Sequence, residues 1–182
     1  YRNVQLIDSA GILRMSCPYR DSIVSDQLRA LLPYSGKMNA PFLTDLYKLN
    51  SIGRPGLDLI LPLSHKASGN PRPLGILAIR IDPDQVLFPL INVWPRMSKT
   101  AETVLVREEN DEIVYLNDLR FRKNSVLILR KKINEENLPS AMAVKGIEGT
   151  TEGIDYRGNS VVAVMKKIPA TQWFMVAKID HN

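Results

Sequence analysis

The chain has 182 residues, 45% of them hydrophobic, with 24 basic against 19 acidic side chains and a net charge of +5. That balance fits one large globular domain or two small ones and excludes a disordered chain. Cys17 stands alone, which excludes an internal disulfide and a thiolate metal cage. No apolar run reaches the ~20 residues that span a bilayer. No signal peptide is visible, and the chain starts at Tyr1 without a methionine, so it is expected to be a segment of a longer protein. The densest basic group is Arg120, Arg122, Lys123, Arg130, Lys131 and Lys132. Phe121 is the one aromatic among them, so the interleaved pattern of a nucleic-acid surface is missing and a solvated strand or loop is expected.

The elements follow in chain order. "VQLIDSAGILRMS" places apolar residues on both sides of Asp8-Ser9-Ala10-Gly11 and predicts a β-hairpin. In "DSIVSDQLRALLP", Ile23, Val24, Gln27, Leu28, Leu31 and Leu32 recur at helical spacing, with Asp21 or Ser22 as N-cap and Pro33 as the stop. "APFLTDLYKL" and "GLDLILPLS" predict strands, His65 to Pro73 a loop, and "LGILAIRID" a further strand. In "DPDQVLFPLINVWPRMS", Asp82 is an N-cap and Pro83 sits at the first helical position. Val86, Leu87, Leu90, Ile91 and Trp94 continue that helix, with a kink expected at Pro89. The second half repeats the order. "ETVLVREENDEIVYLND" predicts two strands around a polar turn, and "NSVLILRKK" an additional extended segment. "NEENLPSAMAVKG" predicts a helix interrupted near Pro139 and stopped by Gly146. "TTEGIDYRG", "NSVVAVMKKIP" and "TQWFMVAKID" predict three strands.

"GILAIRID" and "WFMVAKID" lie 98 residues apart. With them Asp82 matches Asp180, Gly56 matches Gly158 and Leu6 matches Leu105. The chain therefore reads as a duplicated module of two strands, a helix and three strands. A period this long means two domains in tandem rather than a solenoid.

Three stretches carry a resemblance: "LIDSAGILRMS", "GILAIRID" and the closing hairpin "DYRGNSVVAVMKKIPATQWFMVAKID". Together with the repeat and the helix between the halves, they resemble the double Cache domain, a tandem PAS-like extracytoplasmic sensor. The resemblance implies an α+β fold of two PAS-like modules, each a mostly antiparallel sheet with helices packed on it. Residues 1–82 would form the membrane-distal module, 83–97 a connecting helix, and 98–182 the membrane-proximal module. It also implies a ligand-sensing domain, not an enzyme, whose parent is a histidine kinase or diguanylate cyclase of the inner membrane. That domain would bind a small molecule in the periplasm, form a homodimer, and pass a conformational change to a C-terminal transmembrane helix. The aromatic-Arg-aromatic motif of amino-acid-binding members is not found from Ser16 to Pro41. Where those members hold the ligand ammonium with an Asp, this chain carries Arg80.

Arg80 shares a strand face with Ile76, Ala78 and Asp82, because side chains alternate. Small Ala78 leaves room for the guanidinium, whose fork suits a carboxylate or phosphate. The other reading is a strand-end Arg paired with Asp58, Asp45 or solvent. Asp45 and Tyr47 are expected on one face of the third strand, and Asp58, set among leucines, needs a partner. In the second module Tyr156, Arg157, Trp173 and Lys178 are the comparable candidates, with Lys178 the counterpart of Arg80 and Trp173 a core residue or a ligand platform. His65 and His181 offer no triad geometry, and no phosphate loop or metal-ligand spacing occurs, so no cofactor or metal is expected. Two other readings stay open: a cytoplasmic tandem GAF or PAS module binding a nucleotide or protein partner, and a scaffold that only dimerises.

Overall fold

The computed structural model describes residues 2–18, 24–38, 40–49, 54–65, 72–91 and 98–181. The chain divides into two compact units, Tyr1–Val86 and Leu87–Asn182.

The first unit opens with the expected hairpin of β1 (Asn3–Asp8) and β2 (Leu13–Cys17). The Asp8 carboxylate accepts from the N–H groups of Ile12 at 2.9 Å and Ala10 at 3.0 Å. Gly11 closes the turn at φ +82°, a conformation that costs glycine little. Helix α1 (Asp26–Leu31) is capped by Ser25, whose Oγ accepts from the Leu28 N–H at 3.3 Å. The expected caps Asp21 and Ser22 lie outside the described residues. Pro33 does not stop the helical path, which continues as a 3-10 helix over Leu32–Lys37. Proline fits there because it stands near a helix start, where its missing N–H has no partner to lose.

"APFLTDLYKL" is two short strands rather than one, β3 (Phe42–Leu43) and β4 (Tyr47–Lys48), both paired to β5 (Pro55–His65). Between them Thr44 Oγ1 accepts from the Asp58 N–H at 2.9 Å, and Asp45 Oδ1 accepts from the Leu46 N–H at 2.7 Å. Side chain–backbone bonds of this kind compete with the strand ladder. β6 (Arg72–Ile81) completes the sheet, with order β2-β1-β6-β5-β3 and β4 also on β5. The expected loop gives up both ends to strands, since His65 pairs with Arg72 and Ser64 with Pro73. One sheet face buries Ile7, Ile60, Ile76 and Ala78 against Val24 and Leu28 of the α1 segment. Helix α2 (Pro83–Ile91) follows β6 after a single residue, Asp82, whose Oδ1 accepts from the Asp84 N–H at 3.1 Å. Pro89 lies inside this helix, and Trp94 falls outside the described residues.

The second unit starts with β7 (Glu102–Glu109) and β8 (Glu112–Tyr115), joined through Asn110 and Asp111 at φ +54° and +62°. Two left-handed residues match the twist of a tight hairpin. "NSVLILRKK" is extended only in β9 (Arg130–Lys132). Before it, Ser125 Oγ accepts from the Leu119 N–H at 2.9 Å and Leu127 sits at φ +57°, so local bonds fold the segment into turns. Helix α3 (Pro139–Val144) begins at Pro139 and ends before Gly146, at φ +87°. β10 (Gly149–Ile154), β11 (Ser160–Lys167) and β12 (Phe174–Asp180) complete a sheet of order β10-β11-β12-β7-β8-β9. Its core joins Val104, Val106, Tyr115, Met165 and Val176 to Ala141 and Ala143 of α3.

In both units the second strand lies beside the first, and the first beside the last. Leu6 pairs with Leu77 and Leu105 with Met175, which places Leu6 and Leu105 at equivalent sites. The glycine match fails. Leu57 pairs with Ile81 and Val162 with Ile179, so the counterpart of Gly56 is Val161 rather than Gly158. Gly56 lies in a strand, where an added Cβ would stand 3.0 Å from the Tyr47 ring, while Gly158 forms a turn at φ +87°.

Candidate functional site

Arg80 is buried near the end of β6, on the face covered by α1. Its Nε donates to Asp58 Oδ1 at 3.0 Å, and its Nη2 donates to Asp58 Oδ2 at 3.3 Å and to the Tyr47 hydroxyl at 3.1 Å. Tyr47 in turn donates to Asp58, and its hydroxyl lies 3.2 Å from Ser25 Oγ. The register explains the meeting: Asp58 pairs with Arg80 across β5 and β6, and Tyr47 pairs with Gly56 across β4 and β5. Burial opposes the charge on Arg80, but the hydrogen bond and charge of Asp58 outweigh it and raise the guanidinium pKa. Burial and the Asp58 charge also push the Tyr47 phenol up, so it stays a neutral donor. Beside this cluster a recess of about 170 Å³ is lined by Ser25, Asp26, Gln27, Tyr47 and Lys48. Ala78, fully buried, packs in the core below it. The partners of the Arg80 side chain are Asp58 and Tyr47, not Asp45, whose carboxylate turns to the Leu46 backbone.

The second unit gathers a denser set. Lys178 Nζ donates to Asp155 at 2.5 Å and lies 2.9 Å from Glu102 Oε2, with all three side chains at most 3% exposed. Arg157 Nε donates to Asp155 at 2.7 Å and its Nη2 to Asp180. The Tyr156 hydroxyl donates to Glu102 at 3.0 Å, and the Arg157 guanidinium lies 4.2 Å from the Phe121 ring centre. Burial would raise the Asp155 carboxyl, but the hydrogen bonds from Lys178 and Arg157 prevail and hold it below its ordinary value. Tyr156, Arg157 and Lys178 therefore come together, while Trp173 is buried at the end of the β11–β12 turn, its N–H donating to Thr171 Oγ1 at 3.0 Å.

Sequence reasoning missed Ser25, Glu102, Asp155, Phe121 and Asp180. Glu102 faces Lys178 in β12 as Asn3 faces Arg80 in β6, a pairing that becomes visible only once the strand order is known. On the opposite face of the second sheet an apolar hollow of about 620 Å³ is lined by Leu90, Ala101, Val162, Val164, Met175 and Ile179 among others. Among the described residues no cluster of His, Cys, Asp and Glu could hold a metal, and no helix is long and apolar enough to cross a membrane.

No protein-family model matches the sequence, and no curated protein matches it either. Solved structures do. The ligand-binding domain of the Pseudomonas aeruginosa amino acid chemoreceptor PctB, in complex with L-Arg, superposes with TM-score 0.64 at 16% identity, over 99% of this chain and 66% of that one. The fold is the double Cache fold. An extracellular ligand binding receptor from Desulfohalobium retbaense shares it with TM-score 0.61 at 16% identity, over 98% of this chain and 30% of that one. The ligand-binding domain of the Pseudomonas fluorescens chemoreceptor CtaA, in complex with L-serine, follows with TM-score 0.57 at 18% identity, over 99% and 73%. The chain thus spans about two thirds of the PctB domain and less than a third of the Desulfohalobium receptor. In double Cache terms, the Tyr47–Asp58–Arg80 cluster lies in the first module and the Lys178 network in the second.

Proposed function

We propose that this double Cache chain is the extracytoplasmic, ligand-sensing part of a transmembrane signalling protein. The observation that carries the reading is the fold, shared over nearly the whole chain with domains whose bound ligands are L-Arg and L-serine. In this reading residues 1–82 are the membrane-distal, ligand-holding module, 83–97 the connecting helix, and 98–182 the membrane-proximal module. The parent is a homodimeric histidine kinase or diguanylate cyclase anchored in the inner membrane.

The ligand is a small polar molecule seated in the recess between α1 and β4. Ser25 and Tyr47 meet it first, and Arg80 behind them answers a carboxylate. Asp58 already neutralises Arg80, so the site favours a ligand with its own balanced donors and acceptors over a bare anion. Binding would favour one packing of α1 on the sheet and shift the population toward it. β6 passes into α2 through Asp82 alone, so a shift of the strand reaches the helix through the covalent chain. The same continuity past Asp180 would carry the change to a C-terminal transmembrane helix.

A thermal-shift screen of amino acids, small carboxylates, amines and nucleotides tests the reading, because a ligand of the folded state raises the midpoint. An amino acid or carboxylate that stabilises the wild type and not Arg80→Ala or Tyr47→Phe is the expected result. A stabilising ligand to which both variants respond normally removes the assigned site. A nucleotide as the sole hit favours the cytoplasmic alternative.

A further inference from the structure

Lys178 is the structural counterpart of Arg80, but its setting is different. Its ammonium sits 2.5 Å from Asp155 Oδ2 and 2.9 Å from Glu102 Oε2. It also lies 4.9 Å from the centre of the Tyr156 ring and 5.9 Å from that of Phe121. Two carboxylates and two aromatic faces within about 6 Å are the groups that recognise an ammonium ion, by charge, hydrogen bonding and attraction to the ring quadrupoles.

The walls are held by one another and by Arg157 and Arg120 behind them. Tyr156 is fixed by its bond to Glu102, Asp155 by Arg157, and Phe121 by the Arg157 guanidinium against its ring. Glu102 Oε1 also accepts from the Arg120 N–H at 2.5 Å. Three separate segments supply the walls, β7, the turn after β8, and the turn between β10 and β11, and β12 supplies the occupant. A bare ion pair needs one counter-charge, whereas this site has two carboxylates and two aromatic rings.

We propose that Glu102, Asp155, Tyr156 and Phe121 form an ammonium cage, a site for a primary alkylammonium group, which Lys178 fills in cis. The second unit thus supplies its own ligand group and holds β12 against the β10–β11 turn without a free molecule. Displacement of Lys178 would open the site to a short alkyl amine. The cage stands or falls independently of ligand binding at Tyr47 and Arg80.

The test is chemical rescue. Lys178→Ala removes the propylammonium portion of the side chain and leaves Cβ. The thermal midpoint of the second-unit transition should fall by more than about 10 °C. Propylammonium chloride at millimolar concentration should restore at least half of that loss, growing with the logarithm of concentration. Sodium chloride at equal ionic strength and n-propanol should not, the wild type should gain nothing, and Glu102→Gln combined with Lys178→Ala should need about tenfold more amine. Equal responses to propanol and propylammonium, or no response to either, overturn the cage. Should Lys178→Ala fail to fold, the wild type decides by nuclear magnetic resonance. A caged ammonium gives a slowly exchanging NζH₃ signal shifted upfield by the two rings, and Phe121→Leu relaxes that shift. A Lys178 signal that exchanges like an exposed lysine, or does not respond to Phe121→Leu, overturns it.

Discussion

Removing Asp58 should unfold the first unit locally while leaving the second unit intact. The Asp58 side chain is 0% exposed and that of Arg80 is 7% exposed. Asp58→Ala leaves a buried guanidinium whose remaining hydrogen-bond partner among the described residues is the Tyr47 hydroxyl. Breaking a buried pair from one side costs about 3–5 kcal/mol, most of it the stranded charge. For a unit of this size 1 kcal/mol moves the midpoint by roughly 4–8 °C, so the transition should fall by at least ~12 °C. Arg80→Met should cost a similar amount by stranding the carboxylate. Asp58→Leu combined with Arg80→Met strands neither, and should cost less than either single change, giving a coupling of more than ~2 kcal/mol. Hydrogen exchange read by mass spectrometry on β5 and β6 peptides isolates the first unit from the second. A single-variant loss below ~1 kcal/mol, or a double-variant loss equal to the sum of the singles, would refute the claim that this pair is desolvated and coupled.

Asp155 has its pKa lowered from 3.8 in the folded state, so between that lowered value and about pH 4 the unfolded chain binds more protons. Its contribution is full above that window and lost as pH falls through it; circular dichroism should show Asp155→Asn less stable at pH 7, with a shallower acid slope from pH 4 to 2. Gly75→Ala should destabilise the first unit by at least about 1–3 kcal/mol, measured by urea unfolding. Gly75 holds φ +146°, and its new Cβ would stand 2.0 Å from the Ile7 carbonyl oxygen. Ser25→Ala removes both the α1 cap and a neighbour of Tyr47, and should cost about 1 kcal/mol, with faster exchange of the Leu28 amide.

By itself the sequence determined the duplication, the opening hairpins, the closing strands and the helix after Asp82. Each of these is a local signal: a polar turn between apolar runs, alternation along a strand, a cap followed by proline. The Arg80–Asp58 pair was also legible, because a carboxylate set among leucines demands a cation and the nearest strand offered one. The split of "APFLTDLYKL" was not legible, since it depends on Thr44 bonding to the Asp58 backbone across the sheet. Nor was the replacement of Gly158 by Val161 as the counterpart of Gly56, because register is fixed by pairing between strands rather than by spacing along one. The Lys178 cage was decided by tertiary structure alone. Its parts come from positions 102, 121, 155, 156 and 178, and only the folding of β7 and β11 on either side of β12 brings the charges within hydrogen-bonding reach. Charges far apart in sequence carry no pairing signal until burial makes leaving any one of them unpaired too costly.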